Sequence, residues 1–460
     1  MEDADDDQLS TRYAAAKYAF LLPRIEMQEE EEGEEGEEGE NEEHPDLVPA
    51  DRQPRPPCPL SETAVGHERE LQGRWDGGVR AAVAVGLVAE GGYLHRPKPR
   101  ILARFENQLF CGRFSEDGDV FVSACQDRHI RIYDAAGPSF RLLRDVGARD
   151  VGWSILDTDI SPDRRHLLYS SWSDFIHLVD ISDDAAQDGH HEALDLKPRA
   201  HRFCVFSLQY SHDGSEVLAG SSDQSLYIYD LHRRERTLCI DAHSDDINSV
   251  SWADETSHIL FSASDDCLCK VWDRRALKGG KPVGVLVGHL EGITHVSSKR
   301  DGRYLITNSK DQSIKLWDLR SMRQESRGQE RSATFDYRYG DQYVSPTQRK
   351  IFEGKLVHAN DCSINTYRAM MAQVFQTLVR CYFSPAAGTG QRYIISGSHD
   401  GAAVIYDLLS AEPVARLQAH KRVVRDVAWH PHQPRIVTTS WDGTLREWVA
   451  TPDVTPMLLE

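Results

Sequence analysis

The chain has 460 residues, 53 Lys+Arg against 73 Asp+Glu, and a formal charge of −20. The first 50 residues hold 18 acids and 3 bases, and the other 410 hold 55 and 50, so the body is near neutral and lacks the basic face of a nucleic-acid binder. No apolar run approaches the roughly 18 residues of a membrane helix, and the acidic opening is the reverse of a secretory leader.

Nine cysteines without pairing intervals indicate free thiols in a reducing compartment, the nucleus or the cytoplasm. Residues 1–60 read as an acidic, Pro-rich, mostly disordered arm. Within it Tyr13, Ala16, Phe20 and Leu21 recur at helical spacing before Pro23, giving either a short helix over 9–25 or a weakly helical arm. Glu29–Glu43 holds 11 Glu and 3 Gly in 15 residues, where self-repulsion and the lack of apolar groups oppose folding. Four prolines in Asp51–Pro59 stiffen the linker. Residues 61–99 read as an irregular or helical collar, and 450–460 as a C-terminal tail.

From about Arg100 the sequence repeats. Six β-rich runs end in an aromatic or apolar residue plus Asp: Tyr133-Asp134, Val179-Asp180, Tyr229-Asp230, Trp272-Asp273, Trp317-Asp318 and Tyr406-Asp407. A seventh ends Trp448-Val449. The intervals are 46, 50, 43, 45, 89 and 42, most of them close to the 40–45 residues of a four-stranded propeller blade. The long interval is one blade plus an insertion, placed at 321–360. The fold class is therefore all-β: a seven-bladed propeller over 100–449 behind a disordered acidic arm. Blade seven stops short of a full fourth strand, and Arg100–Phe105 is expected to supply it and clasp the ring.

Four blades carry a His, a Ser, an Asp and an aromatic at near-constant spacing. These are His201, Ser221, Asp223 and Tyr229; His243, Ser264, Asp266 and Trp272; His289, Ser309, Asp311 and Trp317; and His420, Ser440, Asp442 and Trp448. The set resembles a hydrolase triad, but an enzyme needs one site, whereas a repeat fold needs the same buried network in each unit. The reading is structural. Cys267-Leu-Cys269 alternates along a strand, and Gly279-Gly-Lys281 lacks the rest of a phosphate loop. No residue set calls for a metal, a cofactor or catalysis.

These units look like WD repeats. Two consecutive blades end Trp272-Asp273-Arg274-Arg275 and Trp317-Asp318-Leu319-Arg320, similar to the WD-x-R signature of substrate receptors in cullin-4 RING ubiquitin ligases. Segments such as Cys269-Lys-Val-Trp-Asp-Arg-Arg275 and Val424-Arg-Asp-Val-Ala-Trp-His-Pro431 resemble the receptor group that holds the eleventh cullin-4-associated WD-repeat factor and its plant relatives of the LEC fourteen B type. The resemblance implies that Trp272, Asp273, Arg275, Trp317, Asp318 and Arg320 dock on the damaged-DNA-binding-protein adaptor. Cullin-4 and the RING subunit then follow indirectly, and a protein substrate sits on the opposite rim. Candidates there, from the loops before each turn Asp and at the opening of each first strand, are Arg149, Trp153, Trp172, Arg202, Lys310, His399, Arg422, Arg425 and Trp441. A WD scaffold in another complex, in RNA processing or trafficking, is the alternative.

Overall fold

The computed structural model describes residues 47–50, 99–182, 190–198, 203–277, 280–325, 344–368 and 377–449. Readings that fall on 1–46, 51–98 and 450–460, the helix, the collar and the tail among them, lie outside these residues. The described chain forms seven four-stranded antiparallel sheets and one two-stranded sheet. The seven are blades around an axis. Their innermost strands are Leu109–Phe114, Asp157–Ile160, Val205–Tyr210, Ile247–Trp252, Ile293–Ser298, Cys381–Phe383 and Val424–Trp429.

Each blade forms for local reasons. Strands of three to seven residues alternate across two packed faces, and the buried apolar side chains of neighbouring blades merge into shared clusters. Serine and aspartate set the turns. In the first turn of blades one to three Ser115, Ser161 and Ser211 donate to Asp117, Asp163 and Asp213 at 2.5–2.6 Å. In the next turn Asp127, Asp223, Asp266, Asp311, Asp400 and Asp442 accept the backbone N–H two residues on, an Asx turn in each case. Ser173 takes that part in blade two.

Ring closure follows the sequence expectation. Arg100–Arg104 pairs antiparallel with Thr444–Val449 and becomes the outer strand of blade seven. Buried Glu447 holds Arg100 at 2.7 Å and Arg435 at 3.0 Å, and the Phe105 N–H donates to the Gly443 carbonyl at 2.7 Å. Gly443 has φ +74° and a Cβ there would strike the Phe105 backbone, so the clasp needs glycine at this point.

The His networks are structural, with one correction to their membership. His243 Nδ1 meets Asp266 at 2.7 Å, but its Nε2 meets Ser262, not Ser264, at 2.7 Å, and Trp272 Nε1 donates to the same hydroxyl at 2.9 Å. Thr307 bridges His289 and Trp317 in the same way, and Thr438 bridges His420 and Trp448. The indole reaches diagonally across the strand pair, two residues beyond its direct partner Leu260. Ser264, Ser309 and Ser440 instead donate to the Asp245, Glu291 and Arg422 carbonyls and accept from the turn Asp N–H. In blade three His201 is outside the described residues. Ala219 occupies the hydroxyl position, and the Ser221 and Tyr227 hydroxyls both donate to Asp223.

The insertion leaves blade five after its third strand and returns as that blade's fourth strand, Asn365–Tyr367. On the way out Arg323 exchanges two 2.8 Å backbone hydrogen bonds with Val285 of blade four. Farther on, Leu356–His358 pairs with Leu47–Pro49, so part of the segment read as an arm is a strand seated on the insertion.

Two stability measurements check these packing arguments. Thr307→Val keeps the shape but strands the Trp317 N–H and one nitrogen of His289; denaturant titration should show a loss of about 1–3 kcal/mol. His430 packs on Phe114 across the blade seven to blade one seam, with ring centroids 4.9 Å apart, and its Nδ1 accepts from the His432 and Gln433 N–H groups. Burial, then Arg435, pushes its pKa down to about 4, against about 6.5 in an unfolded chain. The fold therefore binds fewer protons, and His430's stabilisation, whole above pH ~6.5, is lost as pH falls towards 4. In His430→Asn, which keeps an acceptor without a titration, the denaturation midpoint should fall less over that range.

Candidate functional site

Blades four and five, which carry the paired arginines, end their third strands at Cys269–Asp273 and Ile314–Asp318. Each terminal Asp caps a single 3-10 turn, Arg274–Ala276 or Leu319–Ser321, by accepting the N–H of Arg275 or Arg320. The same carboxylates take the guanidinium groups. Arg275 gives Nε and NH2 to Asp273 at 2.9 and 2.8 Å, and Arg320 gives Nε and NH2 to Asp318 at 3.0 and 2.7 Å. The side chains remain 62% and 65% exposed. Both loops lie beside the turn between the first two strands of their blades, since Arg274 N donates to the His258 carbonyl and Leu319 N to that of Arg303. Arg275 and Arg320 thus emerge on one edge of the ring, from adjacent blades.

The other members of the motif face inward. Trp272 and Trp317 are buried and hold the networks described above, so they offer nothing to a partner's surface. Asp273 and Asp318 position the arginines. Hydrogen bonds from Arg275 pull the Asp273 carboxyl down to about 2. Asp318 also holds Arg303 at 3.0 Å, yet burial outweighs that cation and raises its pKa. Arg274 turns away, forking onto Glu216 of blade three at 2.5 and 2.7 Å.

On the opposite edge the candidates divide. Trp153 and Trp441 are half-buried and flank Phe110, with ring centroids 5.1 and 5.6 Å away. Trp172 stands edge-on to Phe206 at 6.1 Å. Exposed Arg422 lies over Trp441 at 6.0 Å and donates to its carbonyl. Arg149 is exposed and His399 half-buried; Arg202 is outside the described residues. Lys310 and Arg425 are corrections, 1% and 2% exposed. Lys310 Nζ is 2.7 Å from Asp265. Arg425 is the extra residue of a bulge between Val424 and Asp426, which turns it towards the axis, where it donates to the Phe110 and Leu156 carbonyls. Burial, then neighbouring Arg380, lowers its pKa. Phe110 and Phe206, missed in sequence reasoning, are buried and back these tryptophans from beneath; both sit at the same bulge position of their inner strands.

Among the described residues no group of three or more His, Cys, Asp or Glu is placed to hold a metal. Around the axis Arg380 pairs with Asp157 at 2.8 Å and Asp426 at 3.2 Å, and Arg113 with Asp159 at 2.5 Å. Arg425→Glu puts a carboxylate against two carbonyls and should cost about 3–5 kcal/mol in denaturant titration. Arg422→Glu, on the surface, should stay within about 0.5 kcal/mol of wild type.

The WD domain, G-beta repeat model matches residues 102–134, 195–230, 234–273, 280–318 and 411–448. The chain is 40% identical over 404 residues to the LEC14B protein of Lithospermum erythrorhizon, covering 85% of this chain and 82% of that one. It is 41% identical over 394 residues to the LEC14B homolog of Prunus armeniaca, covering 84% and 80%. A protein of Caenorhabditis elegans named DDB1- and CUL4-associated factor 11 homolog is 36% identical over 366 residues, 77% of this chain and 63% of that one. With seven blades, repeated His networks that serve structure, and these relatives, the chain belongs to the WD-repeat β-propeller family that includes the LEC14B proteins, a family of non-catalytic scaffolds and receptors.

Proposed function

We propose that this protein is the substrate-recognition subunit of a cullin-4 RING ubiquitin ligase, docking on the damaged-DNA-binding-protein adaptor through Arg275 and Arg320. The observation that carries the reading is the pair of exposed guanidinium groups on one edge of adjacent blades, each in a turn capped by its own Asp. The Asp occupies Nε and NH2, and the NH1 groups make no hydrogen bond among the described residues. Each preorganised fork is thus left with donors for acceptors on a shared partner. The name of the Caenorhabditis elegans relative supports the same assignment.

The opposite edge, with Trp153, Trp172, Trp441, Arg422 and Arg149, would hold the target, and its arginines suit an acidic or phosphorylated segment. The chain supplies no acid, base or nucleophile. Ubiquitin transfer follows from holding substrate lysines near the charged enzyme at high effective concentration, in the nucleus or the cytoplasm. One observation favours the alternative of a scaffold in another complex: each guanidinium already has a carboxylate partner within its own turn, as an ordinary rim charge would.

Affinity purification of wild type and of the Arg275→Ala/Arg320→Ala variant separates the two. The ligase reading predicts at least tenfold less adaptor and cullin-4 with the variant, and an unchanged denaturation midpoint, since both side chains are exposed. Absence of the adaptor from both samples favours the scaffold.

A further inference from the structure

The edge that carries Arg275 also holds the mouth of an axial cavity of about 380 Å³, lined by inner strands and first turns from all seven blades. That volume falls within the range of ligand-binding pockets. One ion pair crosses the mouth. Arg300, in the first turn of blade five, reaches Glu116, in the first turn of blade one, at 2.8 Å, with both side chains about half exposed. Blades one and five are not neighbours, so the pair spans the opening rather than sealing a seam.

The charges around the cavity are unequal with depth. The lining holds five acids, Glu116, Asp157, Asp159, Asp254 and Glu255, against two arginines, Arg113 and Arg300. Inside, Arg113 is taken by Asp159, and Asp157 by Arg380, so the floor is paired and offers an anion no free cation. At the rim the cavity lining sets Glu116, Asp254 and Glu255 against one arginine, Arg300. Half-buried Tyr382 and Trp429 add aromatic wall, which favours cations with a planar or soft charge. The chain's own Arg300 shows what the rim attracts. A half-exposed pair of this kind is weak and screened by salt, hence easily exchanged. The turn that carries Asp254 and Glu255 runs on to Ser257 and His258, whose carbonyls accept from Arg274, so the mouth lies beside the arginine loop.

We propose that this mouth receives a basic side chain from a protein docked on the same edge, which displaces Arg300 from Glu116. The inference needs a protein on this edge but not the ligase assignment. The test uses the full chain labelled with 5-fluorotryptophan, with the Trp429 resonance assigned through Trp429→Phe. The probes are acetyl-Arg-Arg-Arg-amide and its citrulline counterpart, which keeps the shape without the charge. Residues 1–50 contain no tryptophan, so peptide gathered by the acidic segment leaves this signal unmoved. The arginine peptide should shift the Trp429 resonance saturably and the citrulline peptide should not. Arg300→Ala, which removes the internal competitor, should tighten binding about threefold to tenfold. Glu116→Gln with Asp254→Asn should weaken it at least tenfold. A Trp429 signal that stays still in Arg300→Ala, or that moves equally with both peptides, overturns the proposal. Either result leaves the adaptor co-purification untouched, so the two readings fail separately.

Discussion

The structure depends on a closed ring whose last strand comes from its beginning. Blade seven has three strands of its own, and its fourth is Arg100–Arg104, from the start of the repeat region. Two chain ends some 350 residues apart are thereby held by a ladder, by the Arg100–Glu447–Arg435 charges and by the close backbone contact at Gly443. Without that closure Thr444–Val449 would be an exposed sheet edge and the blade seven to blade one seam would open. With it, every inner strand is held between two others.

Closure also explains why polar groups crowd the axis. Inner strands of neighbouring blades are tied by side chains that accept backbone N–H groups: Asp157 and Asp159 from Leu208 and Tyr210, Ser207 from Val250, Ser249 from Val296, and Asp426 from Gly112. Each bond fixes the angle between two blades, so the set fixes where loops on either edge emerge. Arg275 and Arg320 inherit their common edge from this ring. The insertion adds a local constraint, since Arg323 bonds Val285 of blade four and Cys362 N–H donates to the Val287 carbonyl, while Lys270 of blade four pairs with Glu325 and Lys315 of blade five with Asp361. The two blades that present the arginines are thus joined by the insertion, which lies between the third and fourth strands of blade five.

The sequence-level errors share one cause. Ser264, Ser309 and Ser440 sit at regular spacing from the His and Asp of their blades, yet the hydroxyl that completes each network lies two residues earlier, because the indole reaches along the ladder to Ser262, Thr307 or Thr438. Arg425 has the composition of a binding residue but is the extra residue of a bulge, and Lys310 precedes a turn yet finds Asp265 in the neighbouring blade. In each case a linear pattern names the right neighbourhood, and a cross-strand or cross-blade partner decides which way the side chain faces.

Repeat length, alternation and turn chemistry are local, so the amino-acid sequence alone determined the blade count, the turn aspartates, the donated closing strand and the pairing of two arginine loops on adjacent blades. Contacts between blades are not local. Only the tertiary structure decided that Trp272 and Trp317 serve the interior while Arg275 and Arg320 remain outside, that Arg425 is buried at the axis, and that Arg300 meets Glu116 across an acidic mouth. The physical reason is that burial and charge pairing depend on residues far apart in the chain, which curvature of the ring brings together and spacing along the sequence does not encode.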